Sequence, residues 1–177
     1  MKHDFEFLTD LVSDFFSRRS VRDTLSTISD FEISGWEKWI QIEFARFCKD
    51  HEKISEWGRE LRYELDKRIS NGKSMCSIDF LIRQKHKQSP LGIEIKQHSS
   101  PNNCIKAMLQ DIAKVNRIKY SQDDLRSIWC IGVHSAESPA EVNRLVAYHA
   151  DSMNIDIDPN LVFSTKIGQT SFSVTVL

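Results

Sequence analysis

The sequence predicts an α/β domain in which a mixed central sheet is flanked by helices, and three observations carry that prediction. Two short runs, 75–83 and 91–97, alternate apolar and polar residues with a period of two, as strands do. Two longer runs, 36–47 and 104–119, space their apolar residues three and four apart, as amphipathic helices do. A further run, 127–133, is almost continuously apolar, which suits a strand covered by helices on both faces.

The elements follow in chain order. Phe5, Leu8, Leu11, Val12, Phe15 and Phe16 make one amphipathic helix. Ser20 with Asp23 resembles a capping box at the start of a second, which contains Leu25 and Ile28. Residues 1–34 are therefore expected to form a helical extension packed on a main domain of residues 35–177. A helix over 36–47 then carries Trp36, Trp39, Ile40, Phe44 and Phe47 on one face. Residues 59–67 alternate as a half-solvated antiparallel strand should.

Runs 75–83 and 91–97 are joined by a polar stretch ending in Ser89 and Pro90, and are expected to pair as an antiparallel hairpin. With Ile82 opposite Leu91, the apolar face holds Ile78, Phe80, Ile82, Leu91, Ile93 and Ile95. After a break at Pro101 comes the helix over 104–119. Ser138 and Pro139 give a capping signal for a last helix, on which His149 shares a face with Val142, Leu145 and Val146 as a core or rim histidine. Residues 170–176 alternate and are expected to be an edge strand.

The opposite face of the hairpin holds Asp79, Glu94 and Lys96, with Asp79 opposed to Glu94. Directly opposed carboxylates repel unless something positive lies between them. A divalent cation meets that need; a salt-bridged hairpin facing solvent is the alternative. A third carboxylate, Glu43, falls inside the apolar arc of the 36–47 helix and is expected to face the core. A buried carboxylate needs a partner, which is either the same cation or Arg59 or Arg62 of the next segment.

The order helix with Glu43, strand, strand with Asp79, strand with Glu94-Ile95-Lys96, helix, strand resembles the PD-(D/E)XK nuclease superfamily, the restriction-endonuclease-like fold, over roughly residues 35–134. Ile78 stands where that family often has Pro. Gln110 matches the Gln of one branch, and Lys114 stands where that branch has Tyr. The resemblance implies a nuclease that hydrolyses phosphodiesters with magnesium or manganese. Asp79, Glu94, the carbonyl of Ile95 and Glu43 would hold the metal, and Lys96 would orient the attacking water or stabilise the phosphorane. It equally admits a catalytically inactive relative that binds nucleic acid or regulates. DNA is expected over RNA on the family's account alone.

Charge distribution points to a polyanionic partner although the net charge is only -1. Residues 83–119 carry eight basic side chains against two acidic ones. Arg83, Lys85 and Lys87 cluster at the hairpin tip, and Lys106, Gln110, Lys114 and Arg117 recur at helical spacing, so both groups are expected to contact a phosphate backbone. A solvated helix face is the ordinary alternative. His98, if the strand extends, would sit near the metal or else close the strand.

Cys48, Cys76, Cys104 and Cys130 lie too far apart for a zinc motif and are expected to be buried free thiols of a reducing compartment. The charged N-terminus and the lack of an 18-residue apolar run argue against secretion and a membrane span, so a cytoplasmic location is expected. One site per chain would make a homodimer useful for cutting both strands.

Overall fold

The computed structural model describes residues 1–66, 75–115, 118 and 124–177. Five helices and six strands are assigned in it. They are α1 (Lys2–Ser17), α2 (Arg19–Asp30), α3 (Glu37–Lys49), β1 (Ile54–Glu64), β2 (Met75–Gln84), β3 (Leu91–Gln97), α4 (Pro101–Val115), β4 (Ser127–Ser135), α5 (Pro139–Met153), β5 (Phe163–Lys166) and β6 (Phe172–Val176). The strands form one mixed six-stranded sheet in the order β1-β2-β3-β4-β6-β5. Only β3 and β4 run parallel, and α4 is the crossover between them. The chain is thus of the α/β class, a mixed sheet flanked by helices.

The hairpin forms in the expected register. Phe80 pairs with Ile93, Leu81 with Gly92 and Ile82 with Leu91. Phe80, Ile82, Leu91, Ile93 and Ile95 are fully buried against α1, α2 and α3, in one cluster with Leu11, Phe15, Leu25, Ile40 and Phe44. The helices of the first 34 residues therefore share the core of the sheet itself. Ile78 is equally buried but belongs to another cluster, with Tyr63, Cys76, Leu81 and Val115, where β2 continues beyond its paired stretch with β3.

On the other face, Ile105, Met108 and Leu109 of α4 and Val142 and Val146 of α5 pack around Cys130. β4 contributes Ile131 and Val133 to the first face and Cys130 to the second, so it is buried on both sides, as its apolar run requires.

Three expectations need correction. Residues 172–176 form an interior strand between β4 and β6's other neighbour β5, not an edge. Its alternating Ser173 and Thr175 are buried, and Thr175 satisfies its hydroxyl with His134 and Ser164, so polarity there marks an internal network, not solvent. The first strand starts at Ile54, five residues earlier than expected; Lys67, at its expected end, lies outside the described residues. Ser20 does not cap α2, whose N-cap is Arg18 without a side-chain bond; the Ser20 carbonyl instead accepts from Thr24. At α5 the capping signal holds, with Ser138 accepting from the Glu141 amide.

Gly132 marks where α4 lies hard against β4. A Cβ there would collide with Met108 Sδ and stand 2.9 Å from Cys104 Sγ. This close approach sets the height of α4 over β3 and β4. Gly132→Ala is expected to destabilise the fold by about 1–3 kcal/mol, through overpacking, in a denaturant melt.

Candidate active site

β3 carries two of the functional side chains and β2 the third. Glu94 and Lys96 lie two residues apart on β3, so they share the face turned to α4. Extending the Phe80–Ile93 register by one residue sets Asp79 opposite Glu94. Ladder pairing of the two strands ends at Phe80, and there the Asp79 carboxylate takes over: its Oδ2 accepts the Ile95 amide at 2.9 Å. Asp79 is thereby fixed by the backbone of the strand that carries Glu94.

α4 completes the cluster with two residues the sequence reading had not placed in it. Asp111 and Lys114 are one helical turn apart and project toward β3. Lys114 Nζ lies 3.2 Å from Glu94 Oε1 and 3.2 Å from Asp111 Oδ1. Lys96 Nζ lies 2.6 Å from Asp111 Oδ2 and 3.9 Å from Glu94 Oε2. The Glu94 side chain is only 3% exposed. Glu37, at the start of α3, accepts the Gln97 amide at 3.2 Å and adds its charge to the field at Lys96.

The two ammoniums do not neutralise this set. Asp79, Glu94, Asp111 and Glu37 bring four carboxylates to Lys96 and Lys114. Burial, followed by the charges of Asp79 and Asp111, pushes the Glu94 carboxyl up to about 7, against the pull of Lys114 and Lys96. Burial also works against the charge of Lys96. The Asp111 hydrogen bond and the charges of Asp111, Glu94 and Glu37 outweigh it and hold that ammonium above its usual range. Lys114 is raised in the same way, with burial opposed by Glu94 and Asp111. The two kinds of shift agree once distances are compared. Lys96 is held chiefly by Asp111, and Lys114 is shared between Asp111 and Glu94, so Glu94 is the under-compensated member.

Glu43 does not join the cluster. Its partner is Arg46, at 2.8 Å, while Arg59 goes to Gln41 at 3.2 Å. The buried positions of α3 are Ile40, Gln41, Phe44, Phe47 and Cys48. Glu37 falls inside the buried arc, and Glu43 lies outside it, roughly a quarter turn from its mean direction. The half-exposed Trp39 pulled the expected arc the wrong way, whereas Gln41 and Cys48 held the correction. Among the described residues no three His, Cys, Asp or Glu side chains are grouped closely enough to hold a metal ion by themselves.

The expected phosphate contacts are distributed differently. Lys85 and Lys87 at the β2–β3 tip, and Lys106 and Gln110 on α4, are exposed. Arg83 is tied to Glu56 at 3.0 Å and 2.5 Å across the β1–β2 ladder. Lys114 leaves the exposed stripe because α4 turns it onto Glu94. Arg117 lies outside the described residues. His98 stands just past the end of β3, where its Nδ1 accepts the Ser100 amide at 3.0 Å. His149 is buried and bonds Asn102 at 2.9 Å, a core histidine. All four cysteines are free and buried.

No protein-family model matches this chain, and a search of curated proteins finds no relative.

Because burial raises the Glu94 pKa in the folded state, the contribution of this group to stability is greatest in acid. It should fall as pH rises from about 4.5 to about 7. Glu94→Gln should flatten that fall and stabilise the protein at pH 8 by roughly 1–3 kcal/mol relative to its own difference at pH 4. Denaturant melts of both proteins across this range check it.

Proposed function

We propose that this chain is a metal-dependent nuclease of the PD-(D/E)XK, restriction-endonuclease-like kind, hydrolysing phosphodiester bonds of nucleic acid, DNA in preference to RNA. The observation that carries the proposal is that Asp79, bonded to the Ile95 amide, and Glu94 lie on neighbouring strands beside Lys96, with more carboxylate than ammonium in the cluster. The element order α3-β1-β2-β3-α4-β4 supports the fold assignment.

The donor set fits a hard divalent cation. All its members are oxygens, Asp79 pairs with no cation among the described residues, and Glu94 lacks full compensation. Magnesium keeps several waters, so two protein carboxylates suffice, and Asp79, Glu94 and the carbonyl of Ile95 would hold it. When bound, it would supply Lewis acidity and a water acidic enough to attack near neutral pH.

The chain's own residues do the rest. Asp79 keeps its orientation through the Ile95 amide. Lys96, kept charged by Asp111, donates to a negatively charged phosphoryl oxygen or orients the nucleophile. Asp111 acts on Lys96 and is a positioning residue. Lys85, Lys87, Lys106 and Gln110 would track the backbone of a bound strand. No helix among the described residues is long and apolar enough to cross a membrane. A cytoplasmic location, where the four thiols stay reduced, and a homodimer that cuts both strands belong to the same proposal.

A second assignment is favoured by one feature. Lys96 and Lys114 already bridge Glu94 and Asp111, and such a network would suit a catalytically inactive relative that binds nucleic acid or regulates.

Incubation with plasmid, single-stranded DNA and RNA separates the two. Magnesium-dependent cleavage by the wild type is expected, falling about 10²–10⁴-fold in Asp79→Ala and in Lys96→Ala. Cleavage that survives both substitutions, or its absence from every substrate with binding retained, would overturn the enzyme assignment.

A further inference from the structure

A cavity of about 620 Å³ opens between the α2–α3 loop and the ends of β3 and β4. None of Asp79, Glu94, Lys96, Asp111 or Lys114 lines it; it is linked to the candidate active site through Gln97 and Glu37. Trp36 at its floor precedes Glu37, and the Glu37 carboxylate accepts the amide of Gln97, which lines the cavity and follows Lys96. Gln97 follows Lys96 on β3 and its side chain leaves on the opposite face, so a strand held at Lys96 would reach this cavity by passing the end of β3.

The lining is that of a site for a flat, neutral, hydrogen-bonding group. Its floor is aromatic: Trp36 and Phe172 meet edge to face at 5.1 Å and are both buried. Around them stand the side-chain amide of Gln97 and the hydroxyls of Ser34, Ser99 and Ser135, none of which bonds another described side chain, whereas Ser29 and Ser171 bond each other. Lys and Arg are absent from its described lining, whose titratable side chains are Glu32 and His98, so no permanent positive charge there selects a phosphate. At the lip, Ile33 is 47% exposed; Phe31, two residues before it, is 76% exposed but is not part of the lining. Volume, flat apolar surfaces and free amide and hydroxyl groups together match one nucleobase with its sugar, and the phosphates would remain outside near the lysines.

We propose that this cavity receives one unpaired base of a nucleic-acid strand whose backbone lies at Lys96, so that the preferred substrate is single-stranded or locally unpaired. The inference rests on the nuclease proposal for the location of the backbone, and it deepens that proposal by naming the substrate form. A base inside a duplex keeps its Watson–Crick edge paired and its faces stacked, so only an unpaired base can offer both to Gln97, the serines and the apolar floor of the cavity. Ser135, exposed at the end of β4, can be enlarged to fill the space without touching Asp79, Glu94 or Lys96.

The test is made in chelator, where nothing is cut. Fluorescence anisotropy would compare a short labelled single-stranded DNA, the same strand with one abasic position scanned along it, and the matching duplex. Binding of the intact strand roughly tenfold tighter than that of the duplex is expected, with the preference lost at one abasic position. Ser135→Phe and Ser99→Phe, both at exposed lining positions, should each erase the preference and leave duplex binding unchanged. A strand with 2-aminopurine at that position should be quenched on binding. Equal affinity for strand and duplex, or a preference that persists in both variants, would overturn the proposal. Because no cleavage is measured, a failed cavity and a failed nuclease give different results: the first leaves magnesium-dependent cutting intact, the second leaves the strand preference intact.

Discussion

A carboxylate in the middle of a sheet is the constraint around which this molecule is arranged. Glu94 sits on a strand paired on both sides, beneath a helix, with its side chain almost wholly withdrawn from water. Left unpaired, such a charge would cost several kcal/mol, comparable with the net stability of a domain. The fold meets it from three directions: Lys114 from above, Lys96 from two residues along the strand, and a proton drawn in by burial and by Asp79 and Asp111. The height of α4, fixed where it presses on Gly132, allows Asp111 and Lys114 to reach down. Packing and electrostatics are thus coupled at one point. Removing a lysine leaves a buried anion, and shifting the helix removes both helix partners at once.

The same arrangement explains why one cluster can support two opposite functional assignments. With the protein's own lysines as counter-ions it is a closed network. If Asp79 and Glu94 hold a divalent cation, as proposed, the same cluster would be a site for phosphodiester chemistry, and the cation would compete with a proton for Glu94. Lys96 keeps its charge in either case because its shortest contact is to Asp111 and not to Glu94. An ammonium held charged beside an incompletely neutralised carboxylate pair has more to offer a phosphate than to stability alone.

Much of this could be read from the chain. Period-two alternation in 75–83 and 91–97 sufficed for the hairpin, and its register followed because slipping one residue would turn Phe80 and Ile93 to the wrong face. The continuous apolar run of β4 marked it as interior for the same reason. Glu43 was misplaced because a helical wheel weighted by Trp39 tilts the buried arc, whereas Gln41, a polar residue, is among the most buried of α3. β6 was misjudged because Ser173 and Thr175 mimic a wet face while bonding inside the sheet. Asp111 and Lys114 were legible as a helix pair. Their meeting with Glu94 was not, since it depends on the rotation and height of α4 over β3, which no local pattern specifies. The cavity, built from three separate segments, was hidden for that reason too.

The central claim is that Asp79 and Glu94 together accept a divalent cation. Titration of the protein with manganese at pH 8, with free manganese read by electron paramagnetic resonance, tests it without any substrate. Saturable binding by the wild type, abolished in Asp79→Asn and strengthened in Lys114→Met where a competing ammonium is gone, is the predicted result. A protein that binds no manganese, or binds it equally well after Asp79→Asn, would contradict the account.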